Sequence, residues 1–204
     1  MMRLTQHVVI MARAPRLGAV KRRLARDVGV LAAWRFYRHG LAALMRRLGR
    51  DGRWRRWLAV TPDRAVRTPW VPAWQVIPQG SGDLGARMGR VFQNLPPGPV
   101  VIVGSDIPEI GPAHIARAFA LLGDHDWVFG PAGDGGYWLV GARRRPSRRD
   151  PFAGVRWSSP HALTDTLTNI PGARVAFLEE LLDVDTGADL KRWRRKFSRP
   201  SCAP

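Results

Sequence analysis

Short runs of purely apolar residues alternate along this chain with stretches in which apolar positions recur every three or four residues, the pattern of buried strands followed by helices. The first run is His7-Val8-Val9-Ile10-Met11, and Ala12-Arg13-Ala14-Pro15-Arg16-Leu17-Gly18 turns it out into a Pro/Gly loop. From Val20 to about Gly49 the spacing of Leu24, Val28, Leu31, Trp34, Phe36, Leu41, Leu44 and Leu48 predicts two helices broken at Gly29, with these residues in the core. Strands are expected at 54–60 and 74–77, then a helix opening at Asp83. Val100-Val101-Ile102-Val103 is wholly apolar, as befits a central strand buried on both faces of a parallel sheet. A helix at 112–122 leads to strands at 127–129 and 136–140, which are too close for a parallel crossover, so one of them must pair antiparallel. A helix at 161–169, a strand at 174–178 and a basic helix at 188–197 complete the order. The reading is an α/β fold, a Rossmann-like three-layer sandwich around a mixed, mostly parallel sheet.

Composition narrows the class. With 204 residues, 45% of them hydrophobic, the chain can bury a core of its own, read here as one domain over 1–198 followed by a disordered tail at 199–204. The single cysteine, Cys202, excludes an internal disulfide and a cysteine-built metal cluster. The apolar run near the start is too short for a signal peptide or a membrane span, so a soluble, cytoplasmic protein is expected. Thirty-three Lys and Arg against sixteen Asp and Glu give a net charge of +17. Many of the cations fall in blocks, among them Arg46-Arg47, Arg53 with Arg55-Arg56, Arg143-Arg144-Arg145, Arg148-Arg149 and Arg192 with Arg194-Arg195-Lys196. Most read as solvated surface, and a weak association with nucleic acid or an anionic membrane is left as a secondary property.

Ligands of open α/β sheets bind beyond the carboxyl ends of the strands, so the loops after the apolar runs carry the candidate chemistry. In the first, Ala12, Arg13, Pro15 and Gly18 shape a turn, and Lys21 and Arg23 place cations at a helix start, an arrangement suited to a phosphate chain. In the second, Gln79 and Gly82 let a ligand approach the backbone, while Asp83 reads first as a helix cap. The third, Gly104-Ser105-Asp106-Ile107-Pro108, sets a carboxylate directly after the central strand, where a divalent metal bridging diphosphate oxygens needs a hard ligand. The fourth, Gly130-Pro131-Ala132-Gly133-Asp134-Gly135-Gly136-Tyr137-Trp138, has more glycine than a turn requires, and points to substrate contact through Gly135, Gly136 and Tyr137. Asp183 and Asp185 share one side of an extended stretch, where Asp185 can complete the metal or acid/base set or cap the last helix.

Taken in order, these segments resemble the DUF2064 family of GT-A-like transferases, relatives of the nucleotidyltransferases that make molybdopterin guanine dinucleotide and 2-phospholactate guanylate. Phe152-Ala153-Gly154-Val155-Arg156-Trp157-Ser158-Ser159 belongs to the same resemblance, which runs through almost the whole chain. It implies a GT-A fold binding an activated nucleotide, with the first loop on base and phosphates and Asp106 on the metal. The chain departs from the family pattern at Lys21-Arg22-Arg23-Leu24, where Lys-Thr-Arg-Leu is usual, and at Gly133-Asp134, where Glu-Asp is usual.

The expected function is therefore transfer from a nucleotide diphosphate-sugar to an acceptor, with Mg²⁺ or Mn²⁺ at Asp106 and either Asp134 or Asp185 positioning or deprotonating the acceptor. The alternative is nucleotidyl transfer from a nucleoside triphosphate with release of pyrophosphate; a non-enzymatic polyanion binder is the third reading. Trp138 and Trp157 are candidates to stack on a sugar face.

Overall fold

A computed structural model of the chain describes residues 4–144 and 150–197. Cys202, the tail at 199–204 and Arg145, Arg148 and Arg149 of the basic loop lie outside the described residues. The elements are β1 (Gln6–Arg13), α1 (Arg22–Val28), α2 (Val30–Gly49), β2 (Trp54–Thr61), a 3-10 turn (Asp63–Arg67), β3 (Gln75–Pro78), α3 (Leu84–Asn94), β4 (Val100–Val103), α4 (Pro112–Leu121), β5 (Trp127–Pro131), β6 (Tyr137–Ala142), α5 (Ala162–Thr168), β7 (Val175–Phe177) and α6 (Gly187–Phe197).

The strands form one sheet in the order β3-β2-β1-β4-β6-β5-β7, with β4 in the middle. Pairing is parallel except where β6 runs against both β4 and β5, so the reversal expected between the two neighbouring runs falls on β6. Alternation along β1 assigns its two faces. Val8 and Ile10 join Tyr37, Leu41 and Leu44 of α2 and Ile115 and Phe119 of α4, whereas Val9 and Met11 meet Met88 and Val91 of α3 on the opposite side. That division makes the three layers. A smaller cluster of Leu24, Ala33, Val184 and Leu190 fastens α1 and α6 to the first half of α2.

Gly29 separates α1 from α2 at φ 85, a left-handed conformation that glycine takes without steric cost. One expected core position is corrected. Leu31 is 50% exposed, on a side of the first turn of α2 where Val30 and Ala32 are exposed too, and the buried stripe of that helix is Ala33, Tyr37, Leu41, Leu44, Met45 and Leu48. Among the described residues no helix is long and apolar enough to cross a membrane.

Candidate active site at the carboxyl edge of the sheet

The loops after β1 and β4, the β5–β6 turn and the segment before α6 surround an open cleft of about 800 Å³ at the carboxyl edge of the sheet. The floor comes from strand ends such as Ala12 and Val103. The last segment is brought in by a parallel bridge between Ala132 and Leu181, which sets Asp183 and Asp185 beside the strand ends.

Lys21 organises the charged half. It caps α1 with a left-handed backbone, φ 49 and ψ 48, a conformation that costs a non-glycine residue about 1 kcal/mol. Its side chain is only 5% exposed, and its ammonium donates to Asp106 Oδ1 at 2.9 Å and to Asp185 Oδ1 at 2.7 Å. Arg23 holds the other oxygen of Asp185. Burial alone would lower the Lys21 pKa, but Asp106 and Asp185 outweigh it and raise the pKa, so the ammonium stays charged. Two carboxylates from loops far apart in sequence thus converge on one cation.

Asp183 sits beside this pair, and among the described residues no cation pairs with it. Its burial, reinforced by the negative charges of Asp106, Asp185 and Asp134 against the opposing pull of Lys21, pushes its pKa up to about 7. Asp185 acts on it from the same segment, and the other charges come from three separate loops. Tyr37 closes the floor. Its hydroxyl accepts from the Arg13 N–H and donates to the Arg13 carbonyl, both at 2.9 Å, and lies 3.2 Å from Ser105 Oγ. Burial and then Asp106 push that phenol up to about 12.

Among the described residues no three side chains of His, Cys, Asp or Glu converge as a ready metal cage. The donor set nevertheless suits Mg²⁺ or Mn²⁺. Asp106 and Asp185 offer hard oxygens aimed at a single point already occupied by a cation, and substrate phosphates and water complete the shell of such ions in sites of this type.

Of the residues singled out from sequence, Ala12, Arg13, Lys21, Arg23, Gln79, Ser105, Asp106, Asp134, Asp185, Gly136, Tyr137 and Trp157 line the cleft. Pro15, Gly18, Gly82, Asp83 and Gly135 lie outside its lining. The structure gives several of them mechanical work. Asp83 caps α3, accepting from the Ala86 N–H at 2.8 Å. Gln79 donates from its amide nitrogen to the carbonyls of Ala12 and Ala59, strapping the ends of β1 and β2 together. Gly135, at φ 82, packs where a Cβ would come within 2.3 Å of the Pro160 carbonyl oxygen, and a Cβ on Gly130 would strike the Trp138 ring. Two of the extra glycines are therefore explained by packing. Trp138 is 3% exposed and donates from Nε1 to the Glu179 carbonyl, so its ring belongs to the core and is not offered to a sugar. Trp157 stands against Tyr137 in the cleft lining, its buried Nε1 without a hydrogen-bond partner among the described residues.

A family model described as an uncharacterized protein conserved in bacteria, DUF2064, matches residues 44–159, more than half of the chain. The chain belongs to the DUF2064 family. Among solved structures this DUF2064 chain is similar to a protein from Desulfovibrio desulfuricans G20, named provisionally as a nucleotide-diphospho-sugar transferase. The two share 28% identity and a TM-score of 0.88 over 96% of this chain and 89% of that one. The 4-diphosphocytidyl-2C-methyl-D-erythritol synthase of Anaerococcus prevotii DSM 20548 shares the fold at 10% identity and a TM-score of 0.60, over 96% of this chain and 99% of that one. The Rv0371c protein of Mycobacterium tuberculosis H37Rv, solved with manganese, shares it at 17% identity and a TM-score of 0.55, over 94% and 98% of the two chains. No curated protein matches the chain. The DUF2064 chain thus has the α/β fold of nucleotide-diphospho-sugar transferases and nucleotidyltransferases.

Proposed function

We propose that this protein is a metal-dependent transferase acting on a nucleotide-activated donor, and that the donor is a nucleotide diphosphate-sugar. The observation that carries the reading is the convergence of Asp106 and Asp185 on the Lys21 ammonium, with Arg23 beside them. Carboxylates and cations held this close in a cleft match a ligand that brings both a diphosphate and its metal. The Desulfovibrio relative, named as a nucleotide-diphospho-sugar transferase, supports that choice of donor.

In this reading Asp106 and Asp185 would hold Mg²⁺ or Mn²⁺, which when bound would neutralise charge on the leaving diphosphate. Lys21 and Arg23, released from the two carboxylates, turn their N–H groups onto phosphate oxygens. The Ala12 and Arg13 backbone lies under the nucleotide, on a floor kept rigid by the Gln79 and Tyr37 hydrogen bonds. With Asp185 assigned to the cations, Asp134 takes the acceptor's proton in this reading. It is exposed, and Oδ1 is oriented by the Gly136 N–H at 3.0 Å. The acceptor oxygen then bonds to the anomeric carbon as the carbon–oxygen bond to the diphosphate breaks, its electrons leaving on the nucleoside diphosphate. Trp157 and Tyr137 line the part of the cleft open to the sugar or acceptor.

A second reading rests on the cations. Lys21, Arg22 and Arg23 stand together at the cleft, a density of positive charge suited to a triphosphate, from which pyrophosphate would leave. The fold of the Anaerococcus synthase, whose name describes a diphosphocytidyl product, is consistent with that chemistry.

Thermal stabilisation by nucleoside diphosphates, diphosphate-sugars and triphosphates, each with and without Mn²⁺, tests both readings in wild type and in Asp106→Ala. The expected result is a metal-dependent rise in midpoint with one diphosphate-sugar, lost in the variant. A response to triphosphates alone transfers the assignment to nucleotidyl transfer, and no response to any nucleotide removes it.

A further inference from the structure

The arginines of this chain are not spread evenly around the cleft. From Arg13 to Arg50 the sole acidic residue is Asp27, and its carboxylate is occupied by the Gly187 N–H. The same stretch carries three of the chain's exposed large apolar residues, Leu17 at 61%, Val30 at 48% and Leu31 at 50%. Single exposed apolar residues are ordinary, but the loop and the helix that carry these are joined by one tryptophan.

Trp34 does the joining. Its Nε1 donates to the Pro15 carbonyl at 2.7 Å, which holds the 15–19 loop, with Leu17 and Arg16 exposed on it, against the first turns of α2. On α2, Leu31, Trp34 and Arg38 stand at i, i+3 and i+7 along one flank, and the Arg38 guanidinium lies 5.2 Å from the Trp34 ring centre. Arg35, one turn after Leu31, is exposed as well. The 15–19 loop runs straight into the cleft wall, where Ala19 to Arg23 form part of the lining.

We propose that this rim, Leu17 and Leu31 flanked by Arg16, Arg35 and Arg38, is a docking surface for an anionic lipid bilayer, and that it sets the mouth of the cleft against the membrane. Charge complementarity favours a polyanion in general, and the apolar residues choose among polyanions. Leucines projecting between arginines reach the acyl boundary while the guanidinium groups meet headgroup phosphates, as in interfacial helices with a basic polar side. A nucleic acid backbone offers the arginines the same charge but gives the leucines nowhere apolar to go. The acceptor class that follows is a lipid-borne or headgroup-linked hydroxyl. That last step rests on the transferase reading, whereas the docking surface does not.

Co-sedimentation of the full chain with phosphatidylcholine vesicles, with and without phosphatidylglycerol, in about 0.1 M salt tests it. Binding is expected only with phosphatidylglycerol, and to weaken by at least about tenfold in the Leu17→Glu, Leu31→Glu double variant. Both side chains are outside the cleft lining, so the variant should keep the wild-type thermal midpoint and its response to nucleotides. Lack of vesicle binding overturns the proposal. So does equal binding by the double variant, which would reduce the effect to bulk charge, or tighter binding to an oligonucleotide than to the vesicles. If nucleotides fail to stabilise the protein while vesicle binding behaves as described, the transferase reading falls and the docking surface stands.

Discussion

His7 is fully buried at the start of β1, where Nδ1 accepts from the Trp57 indole N–H at 3.1 Å and Nε2 lies 3.4 Å from the Pro97 carbonyl. Burial lowers its pKa from 6.5, the Pro97 carbonyl opposes this, and Arg144 and Arg55 add to the lowering. The unfolded chain therefore binds the proton more readily than the folded one. The resulting stability is complete above about pH 6.5 and is lost as pH falls from there through the lower folded pKa. Urea midpoints taken from pH 7 downward should decline in wild type, and His7→Phe, though less stable overall, should lose that part of the slope. Sequence gave no warning of this histidine, which reads simply as the first residue of an apolar run. Asp106 was legible because it follows the most apolar strand. Asp183 is legible only as one of two carboxylates on an extended stretch; of the charges that act on it Asp185 is near in sequence, whereas Asp106, Asp134 and Lys21 meet it only in the fold.

At the level of elements, periodicity carried most of the information, and its errors occur where a helix or turn leaves the core. Strand and helix positions follow the apolar runs closely, and the break at Gly29 falls where the sequence put it. Leu31 obeys the helical spacing but lies on the exposed side of the first turn of α2, whose other side buries Ala33, and burial depends on what stands opposite, which spacing does not encode. Of the glycines before Tyr137, Gly136 lines the cleft, whereas Gly130 and Gly135 make room for the Trp138 ring and the Pro160 backbone. Asp83 belongs to this level too. As the N-cap of α3 it satisfies one of the free N–H groups of the first turn, so Asp83→Ala should lower stability by about 1 kcal/mol. Nucleotide affinity should be unchanged, because the residue is outside the cleft lining. A fall in affinity without a fall in thermal midpoint would give Asp83 to the ligand instead.

For the molecule as a whole, a net charge of +17 on 204 residues is a source of self-repulsion in the folded state. Raising ionic strength from about 0.01 M to about 0.15 M shortens the screening length from about 30 Å to about 8 Å. The thermal midpoint should therefore rise over that range, and a flat or falling midpoint would mean that ion pairs such as Arg156–Asp165 and Lys196–Glu109 outweigh the repulsion. The reversed strand β6 has a different kind of importance. Because it runs against β4 and β5, the turn that carries Asp134 and Gly136 arrives at the same edge as the ends of β1 and β4 with no helix to cross. Its tip is nonetheless not free to vary, because Gly135 packs against the Pro160 backbone and Ala132 bridges Leu181. The two banks of the cleft are therefore tied together, and a change at this tip is felt at Lys21 through the Ala132–Leu181 bridge and Asp185.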